Sequence, residues 1–231
     1  ISFHTKGGGY GREPDAPKKT PTLAALFGHV EAGLAIIREF PELRQHEVIL
    51  SECDPDGWAA GTTDDNPNLF YRNTEYCAGY VAAAACRLAG ERGGGDLRVD
   101  GMLTWAFQFE GRSTFAGSRA LSTNGIDKPV LNVFRLLGRL GRARLGLTVE
   151  PAPPVLDAMA PDAPPALVGV AAGDAWGGAQ LLIGSHHDDW DVETEVDVEV
   201  SLVGLPREAY TAVRWDLDRD HANAHTAWVE M

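Results

Sequence analysis

The chain has 231 residues, a formal net charge of −13 and 44% hydrophobic residues. That is enough apolar content for a sizeable core, and no run of about 18 apolar residues marks a membrane span. The acidic excess excludes nucleic-acid binding by phosphate neutralisation, which needs a basic face, and suits a neutral or small substrate better than a polyanion.

Residues 1–12, ISFHTKGGGYGR, read as the tail of a buried strand running into a Gly-rich loop. Thr20 and Pro21 then make a helix start, the hydroxyl as N-cap and the ring at the first helical position. Leu23, Leu26, Phe27, Val30, Leu34 and Ile37 follow at helical spacing and give one apolar face. Val48, Ile49 and Leu50 are consecutive rather than alternating, which predicts a strand over 47–52 of the doubly buried, parallel kind. That strand delivers Glu52 to the mouth of a long loop rich in turn-forming residues, 53–68. A carboxylate at the C-terminal end of such a strand sits where α/β folds keep their chemistry.

A helix is expected from Thr74 to Gly90, with an AAAA run that allows close packing. Cys77 and Cys86, nine positions apart on it, fall on roughly opposite faces and cannot pair. Gly93 to Gly95 break the chain before a third strand within 99–112, VDGMLTWAFQFEGR, and Lys128 and Pro129 open a last helix filled by Val130, Leu131, Phe134 and Leu137. The alternating order of strands and helices predicts an α/β unit.

PAPP at 151–154 and PDAPP at 161–165 mark a stiff boundary. Beyond it the period changes to two, with strands expected over 166–172, 178–185, 192–202 and 210–216. The clearest carries Val192, Val196, Val198 and Val200 on one face and Glu193, Glu195, Asp197 and Glu199 on the other. The division is therefore an α/β part, 1–145, and an all-β part, 146–231, whose pattern is that of an antiparallel sheet buried on one side.

Other motifs compete weakly. Cys53, Cys77 and Cys86 are odd in number and lack paired spacing, which argues against a disulfide framework and favours a reducing, cytoplasmic setting. Cys53, with no activating His near in sequence, reads as a small packing residue. HHDDWD at 186–191 and HANAH at 221–225 offer His221, His225 and Asp188 to a metal, but the pair shares a face only on a helix, and a solvated turn at a sandwich edge is the expectation. GGGYGR at 7–12 lacks the GK[ST] ending of a phosphate loop, and no GxSxG is present.

The segments ISFHTKG, ILSECDP, YRNTEYCAGYVAAAA, GMLTWAFQFEG and STNGIDKPVLNVFRLLG, with DHANAHTAWVEM near the end, are together similar to the second half of glycoside hydrolase family 39, the β-xylosidase family. The resemblance is collinear over nearly the whole chain. It implies strands six to eight of a (β/α)8 TIM barrel followed by a β-sandwich, the first five barrel strands lying outside this sequence; a whole barrel takes about 250 residues. It implies Glu52 as the nucleophile of a retaining mechanism on β-D-xylosides or xylo-oligosaccharides. His4 and Lys6 would contact the sugar, Trp105 would offer an apolar platform and Glu110 would accept from hydroxyls. The family acid/base lies on strand four, so the chain alone is expected to be inactive, and its barrel edges, left with unpaired backbone groups, to make it poorly soluble. No metal, cofactor, nucleic acid or membrane is implied, and a homo-oligomer stays open. Cys53 and Asp54 depart from the aromatic residue and Asn that follow the nucleophile in many members, which leaves the glycone preference open. The competing reading is a non-catalytic carbohydrate-binding or degenerate fragment.

Overall fold

The structure is a computed structural model that describes residues 1–8, 20–90, 99–150, 165–174, 177–192, 195–205 and 209–231. β1 (Ser2–Lys6), β2 (Ile49–Asp54) and β3 (Gly101–Met102) form a parallel sheet in that order. The connections run through α1 (Leu23–Arg38) and α2 (Glu75–Gly90), as neighbouring parallel strands require. The third strand is far shorter than the run 99–112 suggested, because beyond Leu103 the chain leaves the ladder.

α1 begins two residues later than Thr20 and Pro21 indicate. Thr22 is the N-cap, its Oγ1 accepting from the Ala25 amide at 3.1 Å, and Pro21 precedes the cap. All six apolar positions read from the spacing are buried. They pack with Val48, Leu50, Cys53, Tyr80, Ala83 and Ala84 into the main core.

Pairing along β1 and β2 is irregular at one point. Phe3 lies opposite Leu50, but His4 lies opposite Glu52, so Ser51 is an extra residue in β2. Its Oγ donates to the Phe3 carbonyl at 3.4 Å. Such a bulge re-aims the side chains that follow it.

A second, antiparallel sheet of β6 (Ala143–Arg144), β7 (Ala166–Gly173) and β8 (Ala179–His186) packs on the small-residue flank of α2. A Cβ at Gly79 would lie 3.4 Å from the Ser185 carbonyl, and one at Gly184 would lie 3.6 Å from the Ala82 methyl. Cys77 and Cys86 fall in two separate apolar clusters on α2, as their spacing implies.

Among the described residues the later strands read from period two do not form. Residues 195–203 and 209–217 carry no ladder among the described residues, and Val196, Val198, Val200 and Val213 are exposed. Alternation prepares a face for burial, but a strand exists only where another edge accepts its hydrogen bonds. The Pro-rich stretches within 151–164 and the loop 9–19 lie outside the described residues.

The turn after β8 is not solvated either. His186, His187 and Asp188 are buried. Asp188 Oδ1 accepts from the Leu23 amide at 2.8 Å, at the start of α1, and His186 Nε2 lies 3.2 Å from the same oxygen. Tyr76 Oη bonds the carbonyls of Pro21 and Asp188 at 3.0 and 3.1 Å. The polar residues that suggested an exposed edge instead fasten the second sheet to α1 and α2.

β4 (Ser122–Thr123) and β5 (Ile126–Asp127) form a hairpin over Asn124 and Gly125, both at positive φ (47° and 81°), and α3 (Pro129–Leu137) follows. No described helix is long and apolar enough to cross a membrane.

Candidate active site

The register of β1 and β2 sets His4 opposite Glu52 and Lys6 opposite Asp54. Because side chains alternate along a strand, these four share the sheet face turned away from the apolar core. Lys6 Nζ donates to Glu52 Oε2 at 2.7 Å and also bonds Asp54 Oδ2. His4 Nδ1 lies 3.6 Å from Glu52 Oε2 and forms an ion pair when the imidazole is protonated. The Lys6 hydrogen bond outweighs partial burial and, with the charges of Lys6, His4 and Arg119, holds the Glu52 carboxyl below its ordinary 4.5. At 24% side-chain exposure Glu52 is reachable and ionised at neutral pH.

Asp54 is the residue that sequence reasoning missed. Its side chain is 0% exposed and accepts four contacts. Oδ1 takes Thr104 Oγ1 at 2.8 Å and the Trp105 amide at 3.0 Å; Oδ2 takes Lys6 and the Arg119 guanidinium, the latter at 3.0 Å. Its place two positions after Glu52 was the available signal, since i and i+2 share a strand face.

The loop after Glu52 is braced by a buried ion pair. Arg72 bonds Asp56 through Nε at 3.0 Å and Nη2 at 2.5 Å, and donates to the carbonyls of Trp58, Gly61 and Gly117. Tyr71 Oη also bonds Asp56, and Arg119 Nη1 donates to the Asp56 carbonyl at 2.7 Å. Burial alone would raise the Asp56 carboxyl, but the charge and hydrogen bonds of Arg72 hold it below the usual range. One arginine thereby ties the loop after β2 to the loop after β3.

Trp105 joins this group by its backbone, while its half-exposed ring leans on Phe107, centroids 4.3 Å apart, beneath the Arg119 guanidinium at 6.0 Å. Glu110 is exposed in a turn and makes no hydrogen bond or ion pair with His4, Lys6, Glu52 or Trp105. The Cys53 thiol points into the core, where burial pushes it up to about 11, so it serves packing. Among the described residues no group of His, Cys, Asp and Glu is arranged to hold a metal.

An ionised carboxylate at the end of a parallel strand, flanked by cations and a half-exposed tryptophan, is an arrangement suited to a glycoside hydrolase. The family model of glycosyl hydrolases family 39 matches residues 100–231, more than half the chain, and the chain belongs to that family. A solved structure of the bacterial orthologue of human α-L-iduronidase shares its fold, with a TM-score of 0.61 and 22% identity over 83% of this chain. The match spans 31% of that protein's length. No curated protein matches the chain.

Proposed function

We propose that this chain is the C-terminal part of a retaining glycoside hydrolase acting on β-D-xylosides, with Glu52 as nucleophile. In this reading residues 1–145 carry barrel strands six to eight and residues 146–231 an accessory β-sandwich. The observation that carries it is the Glu52 carboxylate, kept ionised by Lys6 and facing His4 at the C-terminal end of β2. Glu52 attacks the anomeric carbon while a general acid protonates the departing oxygen. Water, deprotonated by the same group acting as base, then releases the sugar from the glycosyl-enzyme.

Asp54 is not that second carboxyl. It is fully buried and its oxygens are occupied by four donors, so it has no free proton-transfer site. The acid/base is supplied from outside this chain. In the full-length protein Glu52→Ala should lower turnover of an aryl β-D-xyloside by about a thousandfold or more, and azide should restore it with the opposite anomeric configuration. Unchanged turnover in that variant rejects the assignment.

A second reading concerns the glycone. The partly exposed Lys6 ammonium stands at one edge of the site, which favours a sugar bearing a carboxylate, such as an iduronide. Comparing kcat/KM for aryl β-D-xyloside and aryl α-L-iduronide separates the two.

A further inference from the structure

We propose that Asp54 is a positioning residue for the nucleophile: it anchors the Lys6 ammonium so that Lys6 holds Glu52 in one orientation. The inference rests on the reading of Glu52 as nucleophile and extends it to a residue that does not touch substrate.

The register supplies the first argument. The cross-strand neighbour of Lys6 is Asp54, and Glu52 is reached on the diagonal. Lysine has a long, flexible side chain, and a single hydrogen bond to a partly exposed glutamate does not hold it in place. Asp54 is short and buried, and its far oxygen is fixed by Thr104 Oγ1 and the Trp105 amide. It is therefore the rigid member of the group, and Lys6 is oriented from it toward Glu52 at 2.7 Å.

Charge supplies the second. Lys6 and Arg119 both converge on Asp54 Oδ2. Without that carboxylate two cations would repel each other at one spot, and Lys6, the more exposed and flexible of the two, would turn away. Glu52 would then keep its shape in the strand but lose the partner that fixes its carboxyl plane and keeps it ionised.

The test is the sign of a titration shift. Removing a negative neighbour ordinarily lowers a carboxyl's pKa; a rise requires that a cation holding it down has moved away, and the largest such contribution at Glu52 is the Lys6 hydrogen bond. Glu52 is followed by carbon-13 NMR in the full-length protein, its carboxyl assigned by the signal lost in Glu52→Gln. Asp54→Asn is expected to raise the Glu52 titration midpoint toward that of Lys6→Met, and the double variant to add nothing further. A lowered or unmoved midpoint, or additive effects in the double variant, overturns the proposal. Thr104→Val loosens the Asp54 anchor without changing charge and should shift Glu52 upward by less; it serves if Asp54→Asn does not fold, and an unmoved midpoint there also overturns it. In the full-length protein Asp54→Asn should lower kcat about tenfold with KM nearly unchanged. Full turnover in Glu52→Gln would instead reject the nucleophile reading itself, a different outcome from an unshifted Glu52 in Asp54→Asn.

Discussion

Leu50 and Glu52 stand two positions apart on one strand and face opposite sides of the sheet. Leu50 lies in the apolar core with α1, while Glu52 meets Lys6 and His4 on the other face. The extra residue, Ser51, makes the difference. In a chain lacking Ser51 the pairs Phe3–Leu50 and His4–Glu52 become consecutive, so Glu52 should keep its facing and its lowered titration. Deleting Cys53 should instead turn Asp54 to the core side and strip Lys6 and Arg119 of their partner, a loss of about 3–5 kcal/mol. Thermal unfolding with carbon-13 titration of Glu52 checks both.

Lys6→Met should move the acid limb of kcat/KM to higher pH. The folded-state value of Glu52 is depressed chiefly by the Lys6 hydrogen bond, so its contribution to stability is present above the unfolded value and lost as pH falls through the folded one. With Lys6 gone, the remaining effect of partial burial raises the carboxyl. A limb that stays in place or moves to lower pH contradicts this.

Arg72→Met should cost about 3–5 kcal/mol, because it leaves the Asp56 carboxylate buried without its cation. Lysine should not restore it, since a point charge cannot bridge Asp56 and the carbonyls of Trp58, Gly61 and Gly117 together. Denaturant midpoints of the two variants measure this.

Gly7→Ala should displace the end of β1 that carries Lys6. A Cβ there would lie 2.8 Å from the Pro55 carbonyl and 2.9 Å from the Thr22 carbonyl, both backbone atoms that cannot swing aside. The expected result is a lower melting temperature and a raised Glu52 titration midpoint, and an unchanged pair of values would show that the loop yields freely.

Much of the first half was legible because its signals are local. The apolar spacing of α1, the consecutive Val48–Leu50 run and the chain-order placement of His4, Lys6 and Glu52 all follow from period and neighbourhood. Asp54 was not legible as a hub, because its partners Arg119 and Thr104 lie 65 and 50 positions away and only folding brings them together. The cap of α1 slipped from Thr20 to Thr22 because two threonines flank one proline and the sequence does not choose between them. His186 and Asp188 looked like an exposed turn because their acceptors and donors belong to α1 and α2. The Val-rich run after 192 failed for the complementary reason: its pattern describes a face, and the facing partner is not among the described residues.

The joint between the second sheet and the helices should be acid-labile. Burial lowers His186 below its ordinary 6.5 against the opposing pull of Asp188, with His187 also nearby. The native state therefore binds fewer protons than the unfolded chain as pH falls below 6.5, and stability present above that value is lost toward and through the folded one. His186→Gln should flatten the slope of melting temperature against pH between roughly 6.5 and 5. Asp188→Ala should cost about 1–2 kcal/mol by stranding the Leu23 amide.

That same clasp makes the antiparallel sheet a keel and not an outrigger. Trimming the chain after residue 150 would flood the alanine flank of α2 and uncork the first turn of α1. Anyone seeking a minimal catalytic unit by cutting at the prolines should recover an aggregating product.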